Sequence, residues 1–419
     1  MLHRLFRHRR KPVAAAQVLE PPDHLPKLVT PLPLLPLEIL ELIAARLTDP
    51  VDFCSLRLTC KEVQHKTRQV FGRTHLQTIH TDLTRSNLRS LSSLANEEFL
   101  RKYPTELHVH TEWRRLGKGF YWERETPRGH LKQPILDNEG GQALRDILAN
   151  GLVNCKAFRI STEGYCDESA SEIGQIMATD AVTIVLSVIL DAKIPMRSFC
   201  IEFMKPKGGF PLDGRRLTMQ DIETPIFQEA WAGLEELGLE HSLDTANFWL
   251  TMKLLYSAIN LKSLSLNLAY GSCKEFMRCA LSTHALHSLR KIKLHSMILW
   301  LDDFLGIISR SMHSLLDLSL YHVALIGEEP WQSVFKALKS DCSLLKSIKV
   351  AFLREATPSR DVHFPELSLD NLKVPSIGML QLELEKKRHG RESRIIGASY
   401  EGSRMSDVFE LLANTMTTE

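Results

Sequence analysis

Histidines at short spacings are the residues of this chain that could hold a metal ion. His108 and His110 lie two positions apart on a predicted strand and therefore share one face, and His284 and His287 lie one helical turn apart. A protein zinc site takes three or four ligands, and neither pair has a third ligand close in sequence. We therefore expect both pairs to be structural or surface residues, with no metal and no cofactor bound.

The eight cysteines do not form a reactive or cross-linked set. They are scattered, no Cys-x-x-Cys pair occurs, and none stands beside an obvious histidine or asparagine partner for catalysis. Cys54 and Cys60 fall inside predicted helices and are expected in the core. This cysteine usage predicts a reducing compartment, the cytoplasm or the nucleus.

Sequence motifs for catalysis are absent as well. The chain has no Gly-x-x-x-x-Gly-Lys-Ser/Thr loop, no Gly-x-Gly-x-x-Gly, no Gly-x-Ser-x-Gly elbow and no His-Glu-x-x-His. We therefore predict that the protein is not an enzyme and has no catalytic residues.

Composition favours a folded chain without a strongly charged partner. The 52 basic and 50 acidic residues leave a formal net charge of +2, which gives no general reason to expect nucleic acid or an anionic membrane. The longest apolar run, at 181–190, has roughly half the length that a membrane-spanning helix needs. Residues 1–33, basic and then rich in proline, are predicted to form a disordered arm.

The densest pattern of ordered signals lies at residues 34–71, which predict three short helices. Pro36 suits a first helical turn, and apolar residues then recur at steps of three and four. Asp49-Pro50 predicts the start of a second helix, and Thr59 with Glu62 predicts a capping box before a third. Three such helices have more apolar surface than they can cover among themselves. Either the rest of the chain or a partner protein must cover it.

Residues 34–76 resemble an F-box, the adaptor-binding module of cullin-based ubiquitin ligases. The matching residues are Leu35, Pro36, Leu37, Glu38, Ile39, Ile43, Leu47, Asp52, Phe53, Leu56, Leu58, Cys60 and Lys61. Val63 stands in the neighbourhood where the family often has a tryptophan, and the wider pattern resembles a fungal F-box protein. The resemblance implies docking on a Skp adaptor, which joins the chain to cullin and RING subunits. By match to the family's motif, the expected adaptor contacts are Pro36, Leu37, Ile39, Leu40, Ile43, Leu56 and Leu58.

A repeated Leu-x-x-Leu-x-Leu pattern occupies the second half of the chain. Its copies begin at Leu234, Leu261, Leu289, Leu315 and Leu345, in steps of 27, 28, 26 and 30 residues. Helix-like runs lie between them, and the spacing is typical of leucine-rich repeats. The asparagine or cysteine that usually follows each repeat is missing, so we expect an irregular, shallow solenoid.

The residues between the consensus leucines are expected to line the open concave face of such a solenoid. The face is acidic at one end and basic around residues 291–295. We interpret it as a candidate substrate-binding surface. Its candidate residues are Glu236, Glu240, Asn267, Lys291, Lys293, His295, Asp317, Tyr321 and Lys349.

A separate insert, residues 113–132, mixes tryptophan, tyrosine and phenylalanine with basic residues. Such a mixture can bind single-stranded nucleic acid. Its glutamates dilute the positive charge, however, and we expect the aromatic side chains to pack against the solenoid.

The predicted fold class is α/β, with a short N-terminal three-helix F-box followed by an irregular leucine-rich-repeat solenoid. The predicted domains are the arm at 1–33, the F-box at 34–78, the solenoid at 79–354 and a C-terminal cap and tail at 355–419. The predicted function is that of a substrate-recognition adaptor in a Skp–cullin–F-box ubiquitin ligase, with a protein substrate bound by the solenoid. Two alternatives stay open: an F-box scaffold acting outside ubiquitin ligation, and a leucine-rich interaction protein whose front helices are only a cap.

Overall fold

The fold is described from a computed structural model of the chain. Residues 1–30 of the predicted arm at 1–33, together with Trp113 and His284, lie outside the described residues, whereas Leu32–Leu34 at its end form a short 3-10 helix. The structure describes residues 31–47, 49–112, 116–125, 131–132, 135–163, 176–203, 211–214, 216–217, 222–268, 273–282, 286–357, 359–364, 381–386 and 393–418.

Thirteen α-helices lie within these ranges. Four of them follow one another at the N-terminus, and most of the others connect successive strands. The helices are α1 (Leu37–Arg46), α2 (Pro50–Arg57), α3 (Lys61–Lys66), α4 (Arg68–His75), α5 (Arg85–Ala95), α6 (Glu139–Asp146), α7 (Ala178–Asp191), α8 (Pro225–Ala232), α9 (Phe248–Ser257), α10 (Cys273–Ala280), α11 (Leu301–Ser311), α12 (Pro330–Asp341) and α13 (Met405–Thr415).

Sixteen strands form two sheets within the described residues. The strands are β1 (Thr78–Thr81), β2 (Glu106–Glu112), β3 (Ala157–Glu163), β4 (Ser198–Glu202), β5 (Glu236–Glu240), β6 (Ser263–Asn267), β7 (Lys291–His295), β8 (Ile298–Trp300), β9 (Asp317–Tyr321), β10 (Ala324–Ile326), β11 (Ser347–Ala351), β12 (Arg354–Ala356), β13 (Ser359–His363), β14 (Gln381–Lys386), β15 (Ser393–Glu401) and β16 (Thr417–Thr418). The larger sheet has eleven strands in the order β1-β2-β3-β4-β5-β6-β7-β9-β11-β15-β14. Its neighbours from β1 to β11 are parallel, and β15 and β14 are added antiparallel at the end.

The repeated leucine pattern forms this sheet because successive side chains of a strand point to opposite faces. Leu237, Leu264 and Ile292 lie side by side in the strand register, and each is at most 2% exposed. The helical connections between parallel strands supply the rest of one continuous apolar core. The opposite face of the same strands carries the polar residues between the leucines.

The second sheet, in the order β16-β13-β12-β10-β8, forms where the chain leaves the first sheet. Ser296, His322 and Phe352 directly follow β7, β9 and β11, with φ of 51°, 53° and 52°. This left-handed conformation redirects the chain after each strand. The next residues, which occupy the positions where the repeat lacks its asparagine, are the buried Met297, Val323 and Leu353. At these corners, buried apolar side chains therefore occupy the positions where a leucine-rich repeat usually has an asparagine or cysteine.

The prediction of a three-helix F-box followed by an irregular leucine-rich-repeat solenoid is wrong, although the α/β class fits the structure. The N-terminal segment has four helices and runs directly into β1, the first strand of the eleven-stranded sheet. At the other end, β15 and β14 extend that sheet antiparallel. The repeat pattern led to the wrong prediction because it indicates only which side chains of each strand are buried. Any parallel sheet that is covered by helices on one face has the same alternation of buried and exposed residues.

The start of α3 also differs from the prediction. Cys60 precedes the helix, and its Sγ accepts a hydrogen bond from the Val63 N–H at 3.5 Å. The Thr59 hydroxyl donates to the Leu56 carbonyl instead, at 2.8 Å, so the predicted capping box with Glu62 does not form. Thr67 then separates α3 from α4.

The apolar run at 181–190 lies in the buried helix α7. Within the parts of the chain that the structure describes, no helix has the length and apolar character needed to cross a membrane. In the first turn of α7 the carboxylate of Asp180 is fully buried and pairs with Arg124 at 2.5 Å and Arg216 at 2.9 Å. This buried cluster joins the insert and the segment after β4 to the helix.

Candidate interaction surfaces

Large apolar side chains are exposed in unusual number between residues 32 and 58. We call the set the N-terminal apolar surface. It consists of Leu32, Leu34, Leu37, Ile39, Leu42, Ile43, Val51 and Leu58. Leu34 and Leu58 are 72% and 73% exposed, and only nine large apolar side chains are comparably exposed in the other described residues. The concentration of exposed apolar surface in this short segment is typical of a protein-binding site.

A small core of their own holds the four N-terminal helices together. Phe53 and Phe71 are fully buried, with ring centroids 5.6 Å apart. The ammonium group of Lys66 donates to the carbonyl oxygens of Pro33 at 2.8 Å and Leu35 at 3.2 Å. These bonds fix the segment before α1 against α3, so that the exposed leucines have a defined position.

Arg57 is an unusual member of this core. Its side chain lies over the ring of Phe71, 4.0 Å from the centroid, and the residue is 5% exposed. Its Nε and Nη1 have no hydrogen-bond partner among the described residues. Burial lowers the pKa of Arg57 to about 10. The helical segment therefore carries a buried cation that its own packing does not satisfy.

The predicted adaptor contacts fall into two groups. Those on the exposed surface are Pro36, Leu37, Ile39, Ile43 and Leu58. Leu40 is fully buried and Leu56 is half-buried, so both belong to the packing beneath that surface. The spacing of apolar residues along the sequence could not distinguish the exposed contacts from the buried ones, because α1 is apolar on more than one face. The surface residues that sequence reasoning did not select are Leu32, Leu34, Leu42 and Val51.

The second candidate surface is the polar face of the large sheet. Its central row, defined by the strand register, consists of Gly238, Ser265, Lys293, Ser319 and Lys349 on β5, β6, β7, β9 and β11. All nine predicted substrate-binding residues lie on these five strands. Glu236, Lys293 and Lys349 are exposed, Glu240, Lys291, His295, Asp317 and Tyr321 are half-buried, and Asn267 is buried.

Acidic side chains concentrate on the β4–β5 side of this face. Glu202 and Glu240 lie opposite each other in register, and Arg159 Nη1 lies 2.9 Å from Glu202 Oε1. Burial, and then the neighbouring Glu202, raise the pKa of the Glu240 carboxyl. The Ser265 hydroxyl donates to Glu240 Oε1 at 3.1 Å, but Glu240 has no ion-pair partner among the described residues. Negative charge on this side is therefore only partly balanced.

Basic side chains concentrate on β7 and β11. Lys291 pairs with Asp317 at 2.8 Å. Lys293 and Lys349 lie on either side of Ser319 in the central row and form no ion pair with any described residue. Positive charge on this side is therefore also partly unbalanced.

Four aromatic rings adjoin the basic side at the ends of β7, β9 and β11. The rings of His295 and Tyr321 are stacked, with centroids 4.8 Å apart, and those of His322 and Phe352 are stacked at 4.3 Å. Tyr321 and His322 stand nearly perpendicular, at 87°. Burial, and then the nearby His322, lower the pKa of His295. The cluster forms a partly exposed aromatic wall beside the two lysines.

The histidine pair predicted on β2 gains a third member from β1, which sequence reasoning missed because β1 has only four residues. The ring centroids of His80 and His108 lie 4.9 Å apart, and the Ser161 hydroxyl bonds to both His108 and His110. Burial, followed by the neighbouring histidines, lowers the pKa of His108 to about 3. Across the described part of the chain, no group of three or more ligating side chains is arranged to hold a metal ion.

Three buried or partly buried cysteines, Cys155, Cys200 and Cys342, have a raised pKa and are therefore weak nucleophiles. Burial raises the pKa of Cys155 to about 12 and that of Cys342 to about 11. Burial also raises the pKa of Cys200, whose Sγ lies on the polar face 3.5 Å from Glu202 Oε1. These thiols are protonated at neutral pH and therefore unsuited to thiolate chemistry.

No model of a known protein family matches the chain, and no curated protein sequence is significantly similar to it. The N-terminal apolar surface and the polar sheet face are therefore the basis for a functional conclusion.

Proposed function

We propose that this protein is a substrate-recognition adaptor of a Skp–cullin–F-box ubiquitin ligase. In this proposal helices α1 to α3 bind a Skp adaptor, and the polar sheet face binds a protein substrate. The observation that carries the proposal is the N-terminal apolar surface, because seven of its eight large apolar side chains lie in the segment that resembles an F-box and the eighth, Leu32, lies just before it. Removing apolar surface from water contributes roughly 25 cal/mol per Å² to such a complex, before the cost of bringing together and ordering the two partners is subtracted.

The expected chemistry of this contact is desolvation of apolar side chains. Leu37, Ile39 and Ile43 project from α1, and Leu58 follows α2. The fixed position of the segment before α1, held by Lys66, lowers the ordering cost of binding. In this role the chain does no catalysis, and ubiquitin transfer belongs to the cullin and RING subunits recruited through the adaptor. We place this function in the cytoplasm or the nucleus.

The experiment that tests adaptor binding is co-purification of the full chain with a Skp adaptor. Leu37→Glu combined with Ile43→Glu places two charges on the exposed side of α1 while leaving the buried Leu40 in place. Each large side chain contributes roughly 1.5–3 kcal/mol when covered, so the double variant is expected to lower affinity on the order of 100-fold or more. Ile259→Glu with Leu344→Glu is the matched control, since both residues are comparably exposed outside this surface.

Adaptor binding by the wild type and by the Ile259/Leu344 variant, with loss in the Leu37/Ile43 variant, would support the proposal. Equal binding by all three chains would overturn the assignment of the surface. A folded wild-type chain that binds no Skp adaptor would overturn the proposed function itself. Leu40→Lys is unsuitable for this test because Leu40 is fully buried and its loss would disturb the helices.

A further inference from the structure

The polar face combines two separated pairs of charged side chains, one flanking the central row and one within it. Glu236 and Glu240 lie on β5 on either side of Gly238 along the strand. Lys293 and Lys349 lie on β7 and β11 on either side of Ser319 across the sheet. Since neighbouring strands are about 4.8 Å apart, β5 and the middle of the lysine pair are separated by roughly 14 Å. That distance is spanned by about four residues of extended polypeptide.

These four charges differ from the others on the face in having no ion-pair partner among the described residues. Arg159 is held by Glu106 at 2.8 Å and Glu202 at 2.9 Å, and Lys291 is held by Asp317. By contrast, Glu236, Glu240, Lys293 and Lys349 form no ion pair with any residue that the structure describes. The face therefore presents carboxylates on β5 and ammonium groups on β7 and β11 that no direct ion pair neutralises, although Lys293 and Arg159 are near enough to act on the Glu240 carboxylate.

The floor between the two pairs is low and polar. At Gly238, which is buried and has no side chain, the floor is formed by the Cys200 thiol, which lies where a Cβ of residue 238 would stand. The row continues through the small side chains of Ser265 and Ser319. An extended chain can therefore lie along the row, across the strands, and bring its side chains to both charged pairs.

We propose that the central row binds an extended segment of a partner protein whose acidic and basic residues are separated by about four positions. Acidic side chains of the segment pair with Lys293 and Lys349, and its basic side chains pair with Glu236 and Glu240. The stacked rings of His295 and Tyr321, next to the lysines, contact the residue beside the acidic one. The inference rests on the proposed function in that the segment belongs to the substrate, but peptide binding at this site does not require the adaptor.

Charge distribution favours a peptide over a nucleic acid. A nucleic-acid backbone carries uniform negative charge and needs a continuous basic track. Here the track is interrupted by Asp317 and ends at the acidic side chains of β5, which would repel phosphates. A segment of mixed charge meets no such repulsion.

The test uses the full chain without adaptor and two labelled 12-residue peptides of identical composition. The segregated peptide has two glutamates and two arginines with their centres four residues apart, and the alternating peptide has the same residues interleaved. Binding is measured by fluorescence anisotropy at about 50 mM salt, where exposed charges are weakly screened. The segregated peptide is expected to bind at least tenfold tighter than the alternating peptide.

Three double variants locate the site. Lys293→Ala with Lys349→Ala, and separately Glu236→Gln with Glu240→Gln, are each expected to weaken the segregated peptide at least tenfold. Arg310→Ala with Lys336→Ala removes two positive charges from exposed positions on α11 and α12 and should leave binding unchanged. Since Lys293, Lys349 and Glu236 are exposed, these changes should not impair folding, which urea unfolding of each variant verifies.

Equal affinity for the two peptides, or unchanged binding by either sheet-face variant, would overturn the inference. Tighter binding of a 12-nucleotide single-stranded DNA, lost in the Lys293/Lys349 variant, would also overturn it and assign the site to nucleic acid. Peptide discrimination in a chain that binds no Skp adaptor would support this inference while overturning the proposed function. A chain that binds the Skp adaptor but does not discriminate between the peptides would support the proposed function and overturn this inference.

Discussion

At the scale of single residues, burial decides charge states that residue type leaves open. His241 is fully buried, with Nδ1 2.9 Å from the Ser242 carbonyl oxygen and Nε2 3.3 Å from Thr251 Oγ1. Burial lowers the pKa of His241 to about 4. Its imidazole is therefore neutral at pH 7, and Nδ1 carries the proton that it donates to Ser242.

The shift in the pKa of His241 predicts acid sensitivity. In the unfolded chain this histidine has a pKa of about 6.5, so the unfolded state binds an extra proton between pH 6.5 and pH 4. The neutral imidazole therefore contributes about 3 kcal/mol to the free energy of unfolding above about pH 6.5. This contribution is lost as the pH falls toward 4. We expect His241→Gln to unfold more easily at pH 7 and to lose less stability than the wild type on acidification to pH 4.5.

Urea unfolding of both chains at the two pH values measures the effect, because the titration of all other groups is common to both. If both chains lose the same free energy of unfolding on acidification, His241 is not the cause of the acid sensitivity.

At the scale of elements, the corners that follow β7, β9 and β11 connect the two sheets. Each corner uses a non-glycine residue in the left-handed conformation, at Ser296, His322 and Phe352. That conformation costs an L-residue roughly 1–2 kcal/mol. Burial of the next residue offsets this cost at all three corners, and aromatic stacking offsets it further at His322 and Phe352 but not at Ser296.

Ser296 is therefore the corner at which glycine is expected to stabilise the protein. Ser296→Gly relieves the strain at φ 51° and should raise the free energy of unfolding by up to about 1 kcal/mol. Ser347→Gly, a change of the same residue type inside β11, should lower it by roughly 0.5–1 kcal/mol, because glycine only adds freedom to the unfolded chain there.

Urea unfolding of the two variants beside the wild type checks the prediction. Destabilisation of similar size at both positions would contradict the presence of strain at the corner.

At the scale of the whole molecule, the last strands determine where the large sheet ends. β15 pairs antiparallel with β11, with Gly397 opposite Ala351. A Cβ at residue 397 would lie 2.5 Å from the carbonyl oxygen of Val350, so only glycine allows the two strands to approach this closely. Without β15, the unpaired edge of β11 would be open to pairing with another chain.

Gly397→Val is therefore expected to promote self-association. The added side chain should cost roughly 1–3 kcal/mol by overpacking and loosen β15 from β11. Light scattering and size-exclusion chromatography should show larger species for this variant. Ser399→Val, a half-buried position two residues along the same strand, should remain like the wild type. Equal behaviour of the two variants would contradict a protective role for this pairing.

Local periodicity made many of the elements predictable. The strand expected to carry His108 and His110 corresponds to β2, and the helix-like run expected between the repeats that begin at Leu234 and Leu261 corresponds to α9. Isolated short elements were not predictable: β1 has four residues, and β8, β10 and β12 have three each, too few for a periodic signal. The second sheet consequently had no counterpart in the sequence analysis.

The candidate surfaces were predictable to different degrees. Alternation along each strand placed Lys293 and Lys349 on the polar face, and the structure has them exposed there. Helical spacing selected Leu40 and Leu37 alike, yet one is fully buried and the other is 44% exposed. A strand has two faces and alternation distinguishes them, whereas a helix that is apolar on several faces gives no such distinction.

By itself the sequence determined the α/β class, the polar face of the strands and the apolar character of the N-terminal helices, because these depend on the order of residue types along the chain. Only the tertiary structure decided that the strands join in one eleven-stranded sheet, that left-handed corners begin a second one, and which leucines of α1 remain uncovered. It also decided which charges on the face form no ion pair with any described residue. Pairing, burial and neutralisation involve residues far apart in sequence, and their free energies depend on distances that no local pattern contains.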